Sequence, residues 1–168
     1  MKKVLLFVFT LYCSATQAQF KAATMEIDGM TCSMCTYGVQ RSIAKLKFIQ
    51  QVNVDLNSSV ASISFKPDEF VNIGEVIKSV FDAGYSVRSL KAKVNLENPV
   101  GLQSDQFLLG NSTFIILNNT DTDLKGIVDL IFVEKKFTNT DPFKKYKDVI
   151  EYRLSNIAIK DHYYFVLR

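Results

Sequence analysis

The chain has 168 residues, of which 48% are hydrophobic and 22% charged, and its formal net charge is +3. That balance supports a buried core and excludes wholesale disorder. Lys and Arg are scattered, with no run longer than the pairs Lys135-Lys136 and Lys144-Lys145, so no nucleic-acid partner is expected.

Residues 1–18 read as a signal peptide. Lys2 and Lys3 precede a nine-residue apolar run from Val4 to Tyr12, too short to span a bilayer. Thr16-Gln17-Ala18 places small residues where a signal peptidase reads them, so cleavage is expected after Ala18. Cys13 follows Tyr12 rather than the small residue that bacterial lipoprotein signals carry, which argues against a lipid anchor. The mature chain is therefore expected in the periplasm, with no stable membrane insertion. Loss of the leader leaves Cys32 and Cys35, a pair too close in sequence to staple distant parts of a fold.

Residues 22–92 show a regular succession of periods. Ala23, Met25 and Ile27 alternate with polar residues as in a half-buried strand, and Gly29 ends the pattern. Val39, Ile43 and Leu46 recur at helical spacing, predicting a helix over about residues 33–47. Val52, Val54 and Leu56 mark a second strand, Asn57-Ser58-Ser59 a turn, and Ala61, Ile63 and Phe65 a third strand ended by Pro67-Asp68. Asn72 with Glu75 three residues on reads as a helix start. Ile73, Val76, Ile77, Val80 and Phe81 form that helix's apolar stripe, Gly84 its C-terminal glycine, and residues 85–90 a last strand. The order β-α-β-β-α-β predicts an α+β, ferredoxin-like sandwich: two helices on one face of a four-stranded antiparallel sheet.

The character changes after residue 94. Residues 95–104, with Pro99 and Gly101, read as a linker between a first domain (19–94) and a small β-rich C-terminal domain (105–168) of unassigned role. Strands are expected at 107–109, 113–117, 126–133 and 162–167, with a polar loop at 118–125. Asp141-Pro142 opens a helix carrying Phe143, Tyr146 and Ile150 on one stripe, while residues 149–159 fit helix or strand. His162 reads as a structural histidine.

The chemistry lies in Gly29-Met30-Thr31-Cys32-Ser33-Met34-Cys35, which joins the first strand to the first helix. Thiolates select soft or borderline ions: Cu(I), Hg(II), Zn(II). Unpaired N–H groups and the positive end of the helix dipole favour a thiolate at Cys35. Structural zinc usually takes four protein ligands. Here no histidine or third cysteine is nearby, and Thr31 rather than a carboxylate precedes Cys32. Cu(I) and Hg(II) suit two thiolates better, and Cu(I) is the leading expectation. Met34 is a further soft donor in reach of the pair, or an exposed adaptable side chain. A local disulfide is the plainer alternative.

The segment Gly29-Met30-Thr31-Cys32-x-x-Cys35, with Val39, Ile43 and Asp82-Ala83-Gly84-Tyr85, closely resembles the heavy-metal-associated domain. That family includes copper chaperones, the N-terminal domains of copper-transporting ATPases and the periplasmic mercury-binding protein. The resemblance covers about residues 22–92. It implies that Cys32 and Cys35 bind the metal, that Met30 supports the loop from within, and that Tyr85 packs near the metal, with Thr31 completing the surround. The sequence departs from the family pattern at Met34 and at Phe48-Ile49, where a glycine is common.

The expected function is an exported carrier, not an enzyme, that hands Cu(I) by thiolate exchange to a metal-transporting or metal-accepting protein with exposed cysteines. Two alternatives stand beside it. One is a thiol-disulfide oxidoreductase using C-x-x-C, although the chain has no Trp and its element order is not that of thioredoxin. The other is a metal-responsive interaction protein that docks through its second half.

Overall fold

The computed structural model describes residues 19–67, 69–100, 106–109, 112–118, 124–156 and 162–167. The expected signal peptide, the Cys13 position, most of the polar loop and residues 101–104 of the expected linker lie outside the described residues. The first half follows the predicted order: β1 (Gln19–Asp28), α1 (Ser33–Ala44), β2 (Ile49–Asp55), β3 (Val60–Phe65), α2 (Ile73–Asp82) and β4 (Ser86–Val100). Antiparallel pairing of β1 with β3 and β4, and of β2 with β3, gives the four-stranded order β2-β3-β1-β4 of a ferredoxin-like unit.

Local chemistry explains these elements. Met25 and Ile27 of β1 are fully buried and meet Val39 and Ile43 of α1 in one core, together with Val76, Ile77 and Val80 of α2. The β2–β3 turn closes on Asp55, whose Oδ1 accepts from the Ser58 backbone N–H at 2.7 Å and the Ser58 hydroxyl at 2.8 Å. At the start of α2, Asn72 Oδ1 accepts from the N–H groups of Gly74 (3.0 Å) and Glu75 (3.3 Å). The Asn72 side-chain amide donates back to Glu75 Oε1 at 3.3 Å, so the cap is reciprocal.

The fourth strand differs from expectation. β4 does not stop near Leu90 but runs on to Val100, so residues 95–100 are strand where a linker was expected. Leu90, Ala92, Val94 and Leu96 are all buried and alternate with Lys91, Lys93 and Asn95. The inward period of two therefore continues past the first unit, and its outer edge is paired rather than free.

Its partner there is β7 (Leu124–Phe132), antiparallel from Lys91↔Ile131 to Leu96↔Gly126. β8 (His162–Leu167), β6 (Ser112–Ile116) and β5 (Gln106–Leu109) follow, in a single eight-stranded sheet ordered β2-β3-β1-β4-β7-β8-β6-β5. The β-rich second half thus extends the sheet of the first. That sheet curls. Four strand spacings separate β1 from β6, roughly 19 Å on a flat sheet, yet the Phe20 and Phe114 rings lie 5.8 Å apart. Phe114 also meets Phe107 (5.5 Å), Phe132 (6.2 Å) and Phe165 (6.4 Å), and all of these belong to the same core as Met25 and Val39.

The helix expected after Asp141-Pro142 is α3 (Asp141–Asn156). It takes up the first part of the stretch that fitted helix or strand; residues 157–161 lie outside the described residues. Ile150, Phe143 and Tyr146 pack with Ile115, Leu117, Val133 and Tyr164 in a second, smaller core. β6 and β8 are therefore covered on both faces, which accounts for their unbroken apolar runs and suits their parallel pairing.

The two halves also meet at Gly74. A Cβ placed there would overlap the Tyr163 hydroxyl, so any larger residue at Gly74 forces the Tyr163 side chain of β8 to shift. Alanine at a helical glycine is ordinarily favoured by about 1 kcal/mol. Gly74→Ala should instead destabilise the fold by about 1–3 kcal/mol through overpacking. Most of that loss should vanish when the same substitution is made in a Tyr163→Phe background, as measured by a urea-denaturation double-mutant cycle.

Candidate metal centre

Cys32 is the N-cap of α1, with extended backbone angles (φ −151°, ψ 162°), and its Sγ accepts from the Cys35 backbone N–H at 3.3 Å. The Cys32 carbonyl accepts from the N–H groups of Cys35 (3.0 Å) and Thr36 (3.2 Å), which starts the helix. Caps normally use an oxygen side chain at this position. Here sulfur fills the role, and the C-x-x-C spacing places the second cysteine at the third helical position. The two thiols consequently face each other across one helical turn, at an end where no acidic residue stands in the first turn. Both are free; Cys32 is exposed and Cys35 half-buried.

Cys35 is held as an anion. Four donors converge on its sulfur: the Cys32 thiol first, then the Thr31 backbone N–H, the Tyr85 hydroxyl and the Cys32 backbone N–H, and together they lower its pKa to about 6. The same contact raises Tyr85, whose ionisation would set a phenolate against the thiolate. Tyr85 owes its position to the end of α2. Gly84 N–H donates to the Phe81 carbonyl at 2.9 Å and Tyr85 N–H to the Val80 carbonyl at 3.2 Å, the paired bonds of a Schellman ending. The start of α1 and the end of α2 thus converge on one sulfur.

The other expected residues divide clearly. Met30 is buried at 6% exposure and belongs to the main core. Thr31 acts through its backbone N–H on Cys35, while its side chain is exposed. Met34 is 75% exposed and Tyr37 57% exposed, so the outer rim of the first turns of α1 is apolar but solvated. Among the described residues, no group of three or more His, Cys, Asp or Glu side chains could hold a metal ion. Among the described residues, no helix is long and apolar enough to cross a membrane.

Sequence reasoning missed Asp28, Arg88 and Thr138. The Asp28 carboxylate, at the end of β1 and next to Gly29, accepts from both the Arg88 guanidinium and the Thr138 hydroxyl. These donors hold its pKa below the usual carboxylate range. No local signal identifies a contact between positions 110 residues apart.

In the reduced, metal-free protein, alkylation of Cys35 followed by peptide mass analysis should rise with a midpoint at about pH 6. Tyr85→Phe should move that midpoint upward, because one donor to the thiolate is lost. A thiol titrating below the unfolded value of about 8.5 favours the folded state at alkaline pH. That contribution falls away as pH drops through 6, so the apoprotein should melt at a higher temperature at pH 9 than at pH 6.

Comparison with known proteins gives the family of the first half of the chain. The Heavy-metal-associated domain matches residues 24–86. The copper chaperone CopZ of Bacillus subtilis is 30% identical over 64 residues, which cover 38% of this chain and 91% of CopZ. A copper-transporting ATPase of Helicobacter felis is 37% identical over 73 residues, 44% of this chain; the chain spans only 9% of that ATPase's length. Among solved structures, oxidised MerP from Ralstonia metallidurans CH34 is 29% identical, with a TM-score of 0.37, over 42% of this chain and 99% of MerP. Through residues 24–86 the chain belongs to the heavy-metal-associated domain family.

Proposed function

We propose that the protein is an exported Cu(I) carrier that holds one ion between Cys32 and Cys35 and passes it to a metal-transporting or metal-accepting protein. The observation that carries the reading is the sulfur pair at the start of α1: one thiol exposed, the other held as thiolate near neutral pH. Two soft sulfur donors suit Cu(I), which accepts low coordination, better than ions that demand four ligands or oxygen. Hg(II) shares that preference and is the second choice; Zn(II) is third. Export rests on the basic, apolar and small-residue sequence of residues 1–18, which also points to the periplasm.

The geometry supports transfer as well as binding. Because Cys32 is exposed, an incoming partner thiolate can bond to the ion before either existing sulfur bond breaks. The ion passes through three-sulfur coordination, and Cys32 or Cys35 then leaves as thiolate. If the partner cysteine enters protonated, its proton goes to the departing sulfur. Charge and atoms balance without an oxidant, and copper stays Cu(I) throughout. A thiolate already present at Cys35 avoids a costly deprotonation on metal uptake.

Anaerobic titration of the reduced chain against a Cu(I)-selective chelator should give one ion per chain. The Cys32→Ala/Cys35→Ala double variant should lose that ion while keeping the far-UV signature of the fold. Undiminished uptake by the double variant would remove Cys32 and Cys35 as the site.

A further inference from the structure

We propose that the second half of the chain braces the metal-binding loop, and that Thr138 is the positioning residue through which it does so. The proposal rests on the reading of Cys32 and Cys35 as the metal site.

The loop from Gly29 to Cys32 hangs between two fixed points. One end is the cap of α1. The other is Asp28, the last residue of β1, whose two carboxylate oxygens are separately engaged: Oδ1 by Arg88 Nη2 and Oδ2 by Thr138 Oγ1. Arg88 lies on β4 and belongs to the ferredoxin-like unit. Thr138 belongs to the segment between β7 and α3, which that unit does not contain. This segment is pinned without help from Asp28. Phe137 is buried in the main core, Thr138 N–H donates to the Val87 carbonyl at 2.9 Å, and Asn139 N–H donates to the Arg88 carbonyl at 3.3 Å. The hydroxyl is therefore presented from a fixed backbone, and holding the carboxylate demands little further ordering.

What Asp28 holds is passed on directly. Gly29 follows it with φ +93°, a conformation that L side chains rarely adopt, and packs under Tyr85, whose Cδ1 would lie 3.6 Å from a Cβ at Gly29. Tyr85 in turn donates to Cys35. Both the backbone entering the loop and the ring that reaches Cys35 therefore rest on a point that the second half secures. The hydroxyl on that carboxylate oxygen is thus supplied by the second half.

The test compares Thr138→Val, which keeps the shape and loses the donor, with Thr138→Ser, which keeps the donor, in the full chain. Hydrogen exchange of the Cys35 and Thr36 amides is read on metal-free protein, and Cu(I) affinity by chelator competition. Loss of a bond to a partly exposed carboxylate should speed these two amides and raise the Cu(I) dissociation constant by about three- to tenfold, while amides of β2 and α2 exchange as before. Thr138→Ser should match the wild type in both readouts. Unchanged exchange in Thr138→Val, or equal damage from Thr138→Ser, would overturn the brace. If the wild type takes up no Cu(I) yet Thr138→Val still speeds the two amides, the brace stands and the carrier reading fails alone.

Discussion

The bond from the Cys35 amide to Cys32 Sγ, at 3.3 Å, ties helix initiation to the placement of the two sulfurs. A helix start leaves backbone N–H groups without partners, and one of them here is satisfied by sulfur rather than by the usual oxygen. The requirement that closes the first turn of α1 is thus the requirement that sets the two sulfurs side by side. It holds only because Val39 and Ile43, one turn and two turns further on, are fully buried against β1 and fix the helix on the sheet. The end of α2 meets the same point through its glycine-terminated turn, which delivers the Tyr85 hydroxyl. Two helix ends of opposite polarity and a buried methionine build the site.

The second half changes the surroundings of this unit. In a lone ferredoxin-like sheet the outer edge of β4 is unpaired, and an unpaired strand edge invites association with other chains. Here that edge runs on past Val94 to Val100 and is covered by β7. The curl that brings Phe114 within 5.8 Å of Phe20 then folds the added strands over the same core. One apolar cluster serves both halves, so the loop that carries Cys32 is supported from a larger body than the ferredoxin-like unit alone provides.

Much of the first half was legible because its signals are local. Val39 and Ile43 recur at helical spacing, Asn72 and Glu75 cap each other across one turn, and Gly84 stands where a helix must end. The cysteine pair was legible for the same reason, since three-residue spacing at a helix start fixes the relative placement of two side chains. β4 was only half legible. Its alternation of Leu90, Ala92, Val94 and Leu96 is plain, but Pro99 and Gly101 carry the ordinary marks of a linker. The runs in β6 and β8 announced burial without saying against what, because strands covered on both faces lose the alternation that would show it. The parallel pairing of β6 with β8 and the bond from Thr138 to Asp28 join positions far apart in sequence, and no periodicity encodes them.

The central claim is that a soft ion is held by these two sulfurs and little else. X-ray absorption at the copper edge, on the reduced chain loaded with one equivalent of Cu(I), tests it most directly. The account predicts a first shell of two sulfur scatterers in near-linear coordination. A first shell dominated by nitrogen or oxygen would contradict it.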